Sequence, residues 1–161
     1  MKRLVWLACA GLLSACASRP PVPAQLPSLV LPMQLHVLRI QAEQRQDWLL
    51  VIQQQAQGLR WSMMDPLGIP VARQVLIDGQ WQADGLLPPN PAARELFAAL
   101  LFALTDTRQL PTLYPSATGG PQLRQLGQRW TVHYRTRTDL SVDMPQGLHY
   151  EIAPLSNEAK P

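Results

Sequence analysis

The chain has 161 residues, of which 47% are hydrophobic and 16% are charged, and a length of this size is typical of one domain with a modest core. No repeat of about 20 to 50 residues is visible, which excludes a solenoid. Lys and Arg outnumber Asp and Glu by 14 to 11, but without Lys2 and Arg3 of the leader the balance is 12 to 11, a net charge of +1, so nucleic-acid binding is not favoured.

Residues 1–15 have the pattern of a bacterial signal peptide, with a cationic start followed by an apolar stretch that is too short to span a bilayer as a mature helix. The stretch ends in Leu13-Ser14-Ala15-Cys16, which looks like a lipobox. In a lipobox the thiol, here that of Cys16, receives a diacylglyceryl group and the chain is cleaved before it. The alternative is an ordinary secretory signal that happens to contain a cysteine.

The two cysteines are not expected to pair, because Cys9 leaves with the leader and the sulfur of Cys16 would become a thioether. The sequence therefore predicts no disulfide and no thiolate metal ligand. Two or three acyl chains anchor a protein stably to a membrane. Ala17 replaces the Asp that commonly retains enterobacterial lipoproteins in the inner membrane. Resemblance to that sorting rule implies the periplasmic face of the outer membrane.

Residues 16–32 contain the predicted lipidated Cys16 and a proline-rich segment with a single charge, Arg19. Proline-rich chain favours extended conformations at about 3.1 Å per residue, so we expect a tether with a reach on the order of 50 Å. Residues 33–155 form the predicted domain, and residues 156–161 are a tail.

Alternating apolar residues predict five antiparallel strands before a helix and three strands after it. The strands are expected at residues 35–40, 48–52, 59–63, 71–77, 80–82, 130–134, 140–144 and 148–152. The sequences Asp65-Pro66-Leu67-Gly68 and Asp78-Gly79 predict hairpin turns. Residues 107–121 are rich in proline and glycine and are expected to be irregular.

One helix interrupts the strands. Asn90 is a suitable N-cap, Pro91 stands at the first helical position, and Leu96, Leu100 and Leu104 follow at i, i+4 spacing. The pattern predicts a helix from Pro91 to about Leu104.

These elements predict an α+β fold, an open and unclosed antiparallel β-barrel of about eight or more strands with the helix packed on its concave face. We expect an apolar ligand cavity between the helix and the sheet. The alternative is that the helix fills this space as ordinary core. The predicted cavity residues are Trp61, Val75, Ile77, Leu96, Leu100, Trp130 and Val132.

The Asp65-Pro66-Leu67-Gly68 turn, the helix that begins with proline, the strand from Trp130 and the terminal hairpin occur in an order that resembles the LolA/LolB-like family. The resemblance covers roughly residues 33–154 and is closer still to LolB-like bacterial outer-membrane lipoproteins, often encoded near aryl polyene biosynthesis genes. It implies an unclosed barrel with a helical lid that holds acyl chains or other lipid.

The resemblance also implies a membrane-contact loop at Pro66, Leu67 and Gly68, because LolB exposes a leucine in its Pro-Leu-Gly loop that is thought to engage the membrane. An isolated leucine at a hairpin tip projects into solvent and has no folding role. The alternative is a leucine folded back onto the edge of the sheet.

Catalytic and metal-binding patterns are not found. His36, His133 and His149 fall on three predicted strands, but no pair has the spacing of metal ligands, and no G-x-S-x-G nucleophile motif occurs. We therefore predict neither an enzyme nor a bound metal or cofactor, with a periplasmic hydrolase as a remote alternative.

The sequence thus predicts an outer-membrane lipoprotein that binds a lipid or lipidated cargo and assists its delivery to the membrane. Its expected partners are the membrane, the acylated cargo and a periplasmic carrier protein, and not nucleic acid. The alternative is a structural or assembly lipoprotein with a filled core that docks synthesis or export proteins at the membrane.

Overall fold

The computed structural model describes residues 19–155. The predicted signal peptide, the lipidation site Cys16 and the tail at residues 156–161 lie outside the described residues. None of the helices within residues 19–155 is long and apolar enough to cross a membrane.

The described chain forms one antiparallel sheet of ten strands that does not close on itself, in the order β5-β4-β3-β2-β1-β10-β9-β8-β7-β6. The strands are β1 (Met33–Gln41), β2 (Gln44–Gln55), β3 (Gly58–Met64), β4 (Pro70–Ile77), β5 (Gln80–Ala83), β6 (Ala117–Gly119), β7 (Leu123–Leu126), β8 (Trp130–Tyr134), β9 (Leu140–Met144) and β10 (Leu148–Pro154). The pairing of β1 with β10 joins the first half of the sheet to the second.

The main helix, α1 (Pro91–Leu104), has the predicted bounds. The side chain of Asn90 accepts a hydrogen bond from the backbone N–H of Ala93 at 3.0 Å, and Pro91 at the start has no N–H to satisfy. A second helix, α2 (Leu110–Leu113), is a single turn.

The core lies between α1 and one face of the sheet. Every residue of α1 from Leu96 to Leu104 is buried, so the helix is enclosed on all sides and does not merely present one apolar stripe. The ring of Trp61 lies 5.4 Å from that of Phe97, and the ring of Trp130 lies 5.9 Å from that of Phe102. Full burial of each such apolar side chain contributes about 1.5–3 kcal/mol.

Neither β6 nor β7 was predicted: β6 lies within residues 107–121, which were expected to be irregular, and β7 follows directly after them. It carries the buried Arg124, whose guanidinium donates hydrogen bonds to the carbonyls of Ala103 and Thr105 at 3.3 and 2.6 Å. The last carbonyls of a helix have no partner within the helix. Arg124 therefore occupies a core position because it satisfies the end of α1.

Residues 19–31, which belong to the predicted tether and which we call the strap, lie against the domain in the structure. The apolar side chains of Val22, Leu26, Leu29 and Leu31 pack against the core. The backbone N–H of Ser28 donates to Gln109 Oε1 at 3.0 Å, just beyond the end of α1. These apolar side chains dock the proline-rich segment on the domain.

The sheet curls toward the strap from both sides. Val22 lines one cavity together with Trp81 of β5 and another together with Leu126 of β7. These strands lie near opposite margins of the sheet. The strap therefore crosses the open side of a curved sheet.

Candidate functional site

The tip of the β3–β4 hairpin carries two exposed apolar side chains, with Leu67 84% exposed and Ile69 57% exposed. Pro66 and Gly68 on either side of Leu67 are also exposed. The structure therefore places Leu67 in solvent and not against the edge of the sheet.

The tip is held in shape by Asp65. Its Oδ1 accepts hydrogen bonds from the backbone N–H groups of Leu67 and Ile69 at 2.9 and 2.8 Å, and its backbone carbonyl accepts one from Gly68 at 3.0 Å. Gly68 has a φ of +82°, a conformation that a residue with a side chain rarely adopts. The leucine is thus presented on an ordered turn, and Asp65 is the residue that orders it.

Five of the predicted cavity residues meet in the core against α1. Trp61, Leu96, Leu100, Trp130 and Val132 are each at most 1% exposed. The rings of Trp61 and Trp130 pack on those of Phe97 and Phe102, respectively. These five residues therefore belong to the core that packs against α1.

The prediction that Val75 and Ile77 face the helix is wrong. Trp61, which does face it, pairs with Gln74 across β3 and β4, whereas Val75 pairs with Arg60 on the other face of the sheet. Because side chains alternate along a strand, Val75 and Ile77 both lie on the face away from α1. Ala72, Gln74 and Leu76 are the β4 residues that are buried beneath the helix.

Gln74 is a site residue that the sequence analysis missed. It is only 2% exposed, its side-chain amide donates to the carbonyl of Asn90 at 3.3 Å, and its Oε1 accepts from Arg94 Nε at 3.2 Å. It therefore connects β4 to the start of α1. A glutamine in an alternating strand gives no sequence signal of this contact.

Glu95 connects the same end of α1 to β8. Its two carboxylate oxygens each lie 2.7 Å from a nitrogen of Arg129. The hydrogen bond to Glu95 is the main cause of the raised pKa of Arg129, whose guanidinium stays charged. This end of the helix is consequently fixed to both halves of the sheet.

Three neighbouring cavities surround the first residues of the strap, with volumes of about 490, 550 and 340 Å³. All three are lined by Arg19. The first has walls of Val22, Leu113, Tyr114 and Leu126, the second is bounded by Met144 and Leu148, and the third contains Trp81 and Arg94.

Tyr114, in the wall of the first cavity, has a buried hydroxyl without a hydrogen-bond partner among the described residues. Burial raises the pKa of this hydroxyl, so it stays protonated. Leaving a buried hydroxyl unsatisfied costs about 1–3 kcal/mol, and such groups are uncommon in folded proteins.

The three histidines lie on the face of the sheet opposite α1. His133 and His149 both contact Asp143, at 3.3 and 2.6 Å, and His36 contacts Asp47 at 2.8 Å. Within the described part of the chain, no group of three or more His, Cys, Asp or Glu residues has a geometry that could hold a metal ion.

Comparison with family models and with curated proteins found no match to the chain.

Proposed function

We propose that the protein is an outer-membrane lipoprotein with a LolA/LolB-like open barrel that binds a lipid or acylated cargo and assists its delivery to the membrane. The exposed apolar tip of the β3–β4 hairpin is the observation that carries the proposal. Leu67 and Ile69 have little to pack against in the folded chain, yet Asp65 fixes the turn that presents them. A bilayer interface is the surface that suits such a tip.

The energetic argument is one of apolar burial. Complete transfer of a leucine side chain from water contributes about 1.5–3 kcal/mol, and partial insertion contributes less. One residue therefore gives weak, reversible contact. Acylation at Cys16 would supply the stable attachment, and the hairpin would supply an orientation in which cargo leaves the protein close to the bilayer.

Apolar burial would also hold the cargo in the protein. Apolar burial contributes about 25 cal/mol per Å² of surface removed from water. A lipid that passes from a protein cavity to an adjacent bilayer exchanges one apolar environment for another. A periplasmic carrier would deliver the acylated cargo, and the hairpin would bring the membrane close.

A second candidate, an assembly lipoprotein with a filled core, is favoured by the complete burial of α1 from Leu96 to Leu104. Such a protein would dock other proteins at the membrane and carry no lipid. The two candidates differ in one measurable property, the binding and transfer of an amphiphile.

The experiment uses cis-parinaric acid, a fluorescent fatty acid, and the chain from residue 16 onward with Cys16→Ser, expressed without the predicted leader so that its apolar stretch cannot bind the probe. Protein loaded with the probe is mixed with phosphatidylethanolamine/phosphatidylglycerol vesicles, and the fluorescence change reports transfer. Lipid delivery predicts saturable binding and transfer faster than that from serum albumin. Absence of binding would favour the assembly candidate.

A further inference from the structure

The strap is attached in a way that allows it to leave. No backbone hydrogen bond joins residues 19–31 to the sheet or to α1 within the described residues. Pro20, Pro21, Pro23 and Pro27 lack the N–H that strand pairing needs. Apolar contacts and the interaction of Ser28 with Gln109 hold the segment. Segments with few backbone hydrogen bonds open at low free-energy cost.

The strap also runs the length of α1. Near its start, Arg19 and Pro20 line a cavity together with Pro91 and Arg94, which belong to the first turn of the helix. Near its end, Ser28 contacts Gln109, five residues beyond Leu104. The strap therefore covers α1 on the side that the sheet leaves open.

The three cavities around Arg19 share residues of the strap in their walls. Arg19 lines all three, Val22 lines two, and Pro20 lines two. Removal of this part of the strap would join them into one groove across the start of α1. Individual volumes of about 340 to 550 Å³ are already in the range of small-molecule sites.

The chemistry of the groove is that of an amphiphile site. Its walls are apolar at Leu113, Leu126, Met144 and Leu148. Arg19 and Arg94 have no carboxylate partner among the described residues, and the adjacent carboxylate of Glu95 is already paired with Arg129. Apolar walls beside two such cations suit an acyl chain that ends in an anionic group.

We propose that an amphiphile with an acyl chain and an anionic head binds in the groove beneath residues 19–23, and that the strap must lift for it to enter. This inference rests on the proposed lipid-binding function and moves its site from the core beneath α1 to the groove on the outer side of α1. The strap and the amphiphile then compete for the same surface of the domain.

A disulfide that locks the strap tests the proposal. A Cβ built on Gly79 lies 3.5 Å from the Cα of Ala24 and 3.2 Å from the carbonyl oxygen of Pro23, so the strap passes directly against the β4–β5 turn and a crosslink between cysteines at positions 24 and 79 would hold it there. The test protein is the chain from residue 16 onward, expressed without the predicted leader, with Ala24→Cys and Gly79→Cys, and with Cys16→Ser to remove the remaining native thiol. The positive φ of Gly79 strains a cysteine there, but the reduced form of the same protein is a control that carries the same strain.

Binding of cis-parinaric acid is measured in both redox states. We expect the oxidised protein to bind at least tenfold more weakly than the reduced protein. Equal binding in both states, together with unchanged binding by the loosened strap variant described below, would overturn the strap proposal and leave lipid binding intact. Absence of binding in both states would remove the proposed function itself, and the inference with it.

A second variant covers the case in which the disulfide fails to form. Leu26 and Leu29 pack on the core, and neither lines the three cavities. Leu26→Ser with Leu29→Ser should loosen the strap and tighten probe binding severalfold. Unchanged or weaker binding by a variant with native circular dichroism would contradict the proposal.

The anionic head is tested by comparing cis-parinaric acid with its methyl ester on the reduced protein. Recognition by Arg19 and Arg94 predicts that the acid binds several times more tightly, and that high salt reduces the difference. Equal affinities for acid and ester would refute the assignment of an anion site.

Discussion

The indole N–H of Trp130 donates a hydrogen bond to Glu95 Oε1 at 2.8 Å, so a carboxylate on α1 partners the largest buried side chain of β8. The same carboxylate pairs with Arg129, the residue before Trp130. One side chain thus fixes the start of the helix to the second half of the sheet. The free energy of docking of α1 depends on this contact as well as on apolar burial.

Changing Glu95 to Ala should destabilise the fold by about 1–3 kcal/mol, because it leaves the buried indole N–H of Trp130 without its acceptor and removes the ion pair of Glu95 with Arg129. Urea unfolding followed by tryptophan fluorescence measures the loss. Glu43→Ala, in the exposed β1–β2 turn, is the matched control and should be close to neutral. Equal midpoints for the two variants would show that the Glu95 contact adds nothing to stability.

The sequence was informative where local signals agree with the tertiary structure. The N-cap at Asn90, Pro91 and the leucine spacing predicted the bounds of α1. The Asp78-Gly79 turn predicted the β4–β5 hairpin, in which both residues have positive φ.

The sequence-based predictions were wrong where contacts between distant residues decide which side chains are buried and which segments form strands. β4 has apolar residues on both faces, so alternation alone could not choose between Val75 and Leu76 for the core. The pairing of Gln74 with Trp61, and the hydrogen bonds of Gln74 to the start of α1, decide it. Strand β7 was missed because Arg124 stands at a buried position where an apolar residue is expected. Its hydrogen-bond partners are carbonyls at the end of α1, more than 15 residues away in the sequence.

The close packing of α1 predicts that a larger side chain at a buried helix position destabilises the fold. Leu100 is fully buried, and insertion of a larger side chain into a filled core costs about 1–3 kcal/mol. Leu100→Trp should therefore lower the melting temperature by several degrees. Leu86→Trp, at an exposed position before the helix, is the control. A Leu100→Trp protein as stable as the control would indicate unfilled space beneath α1.

Asp106, just after α1, predicts a defined response to acid. Hydrogen bonds from the side chain and backbone N–H of Arg108 lower the pKa of the Asp106 carboxyl from 3.8 to about 2. A lowered folded-state pKa stabilises the folded protein above the unfolded value, and this stabilisation is lost as pH falls from about 4 toward 2. Asp106→Asn should flatten the decline of the urea midpoint over that range, whereas Glu43→Gln should not. An unchanged decline would show that the carboxyl is not coupled to folding.

The proposed anchor is tested at Cys16. Its thiol is the expected acceptor of the acyl group, so Cys16→Ser should abolish incorporation of a labelled fatty acid and leave an uncleaved or mislocalised precursor. Cys9→Ser is the matched control and should be labelled normally. Label retained in the Cys16→Ser protein would rule out this lipidation site.

Leu67 separates membrane contact from stability. Its side chain is 84% exposed, and the turn is held by backbone contacts to Asp65, so Leu67→Glu should leave the melting temperature nearly unchanged. A charge at the tip opposes insertion into the bilayer, so transfer of cis-parinaric acid to anionic vesicles should slow severalfold. Leu86→Glu removes another exposed leucine and adds the same charge, but at a loop between β5 and α1. It should transfer the probe at the normal rate if the hairpin tip is the membrane contact. Equal slowing in both variants would instead indicate general repulsion between the protein and the vesicle, and normal transfer by Leu67→Glu would show that the tip does not contact the membrane.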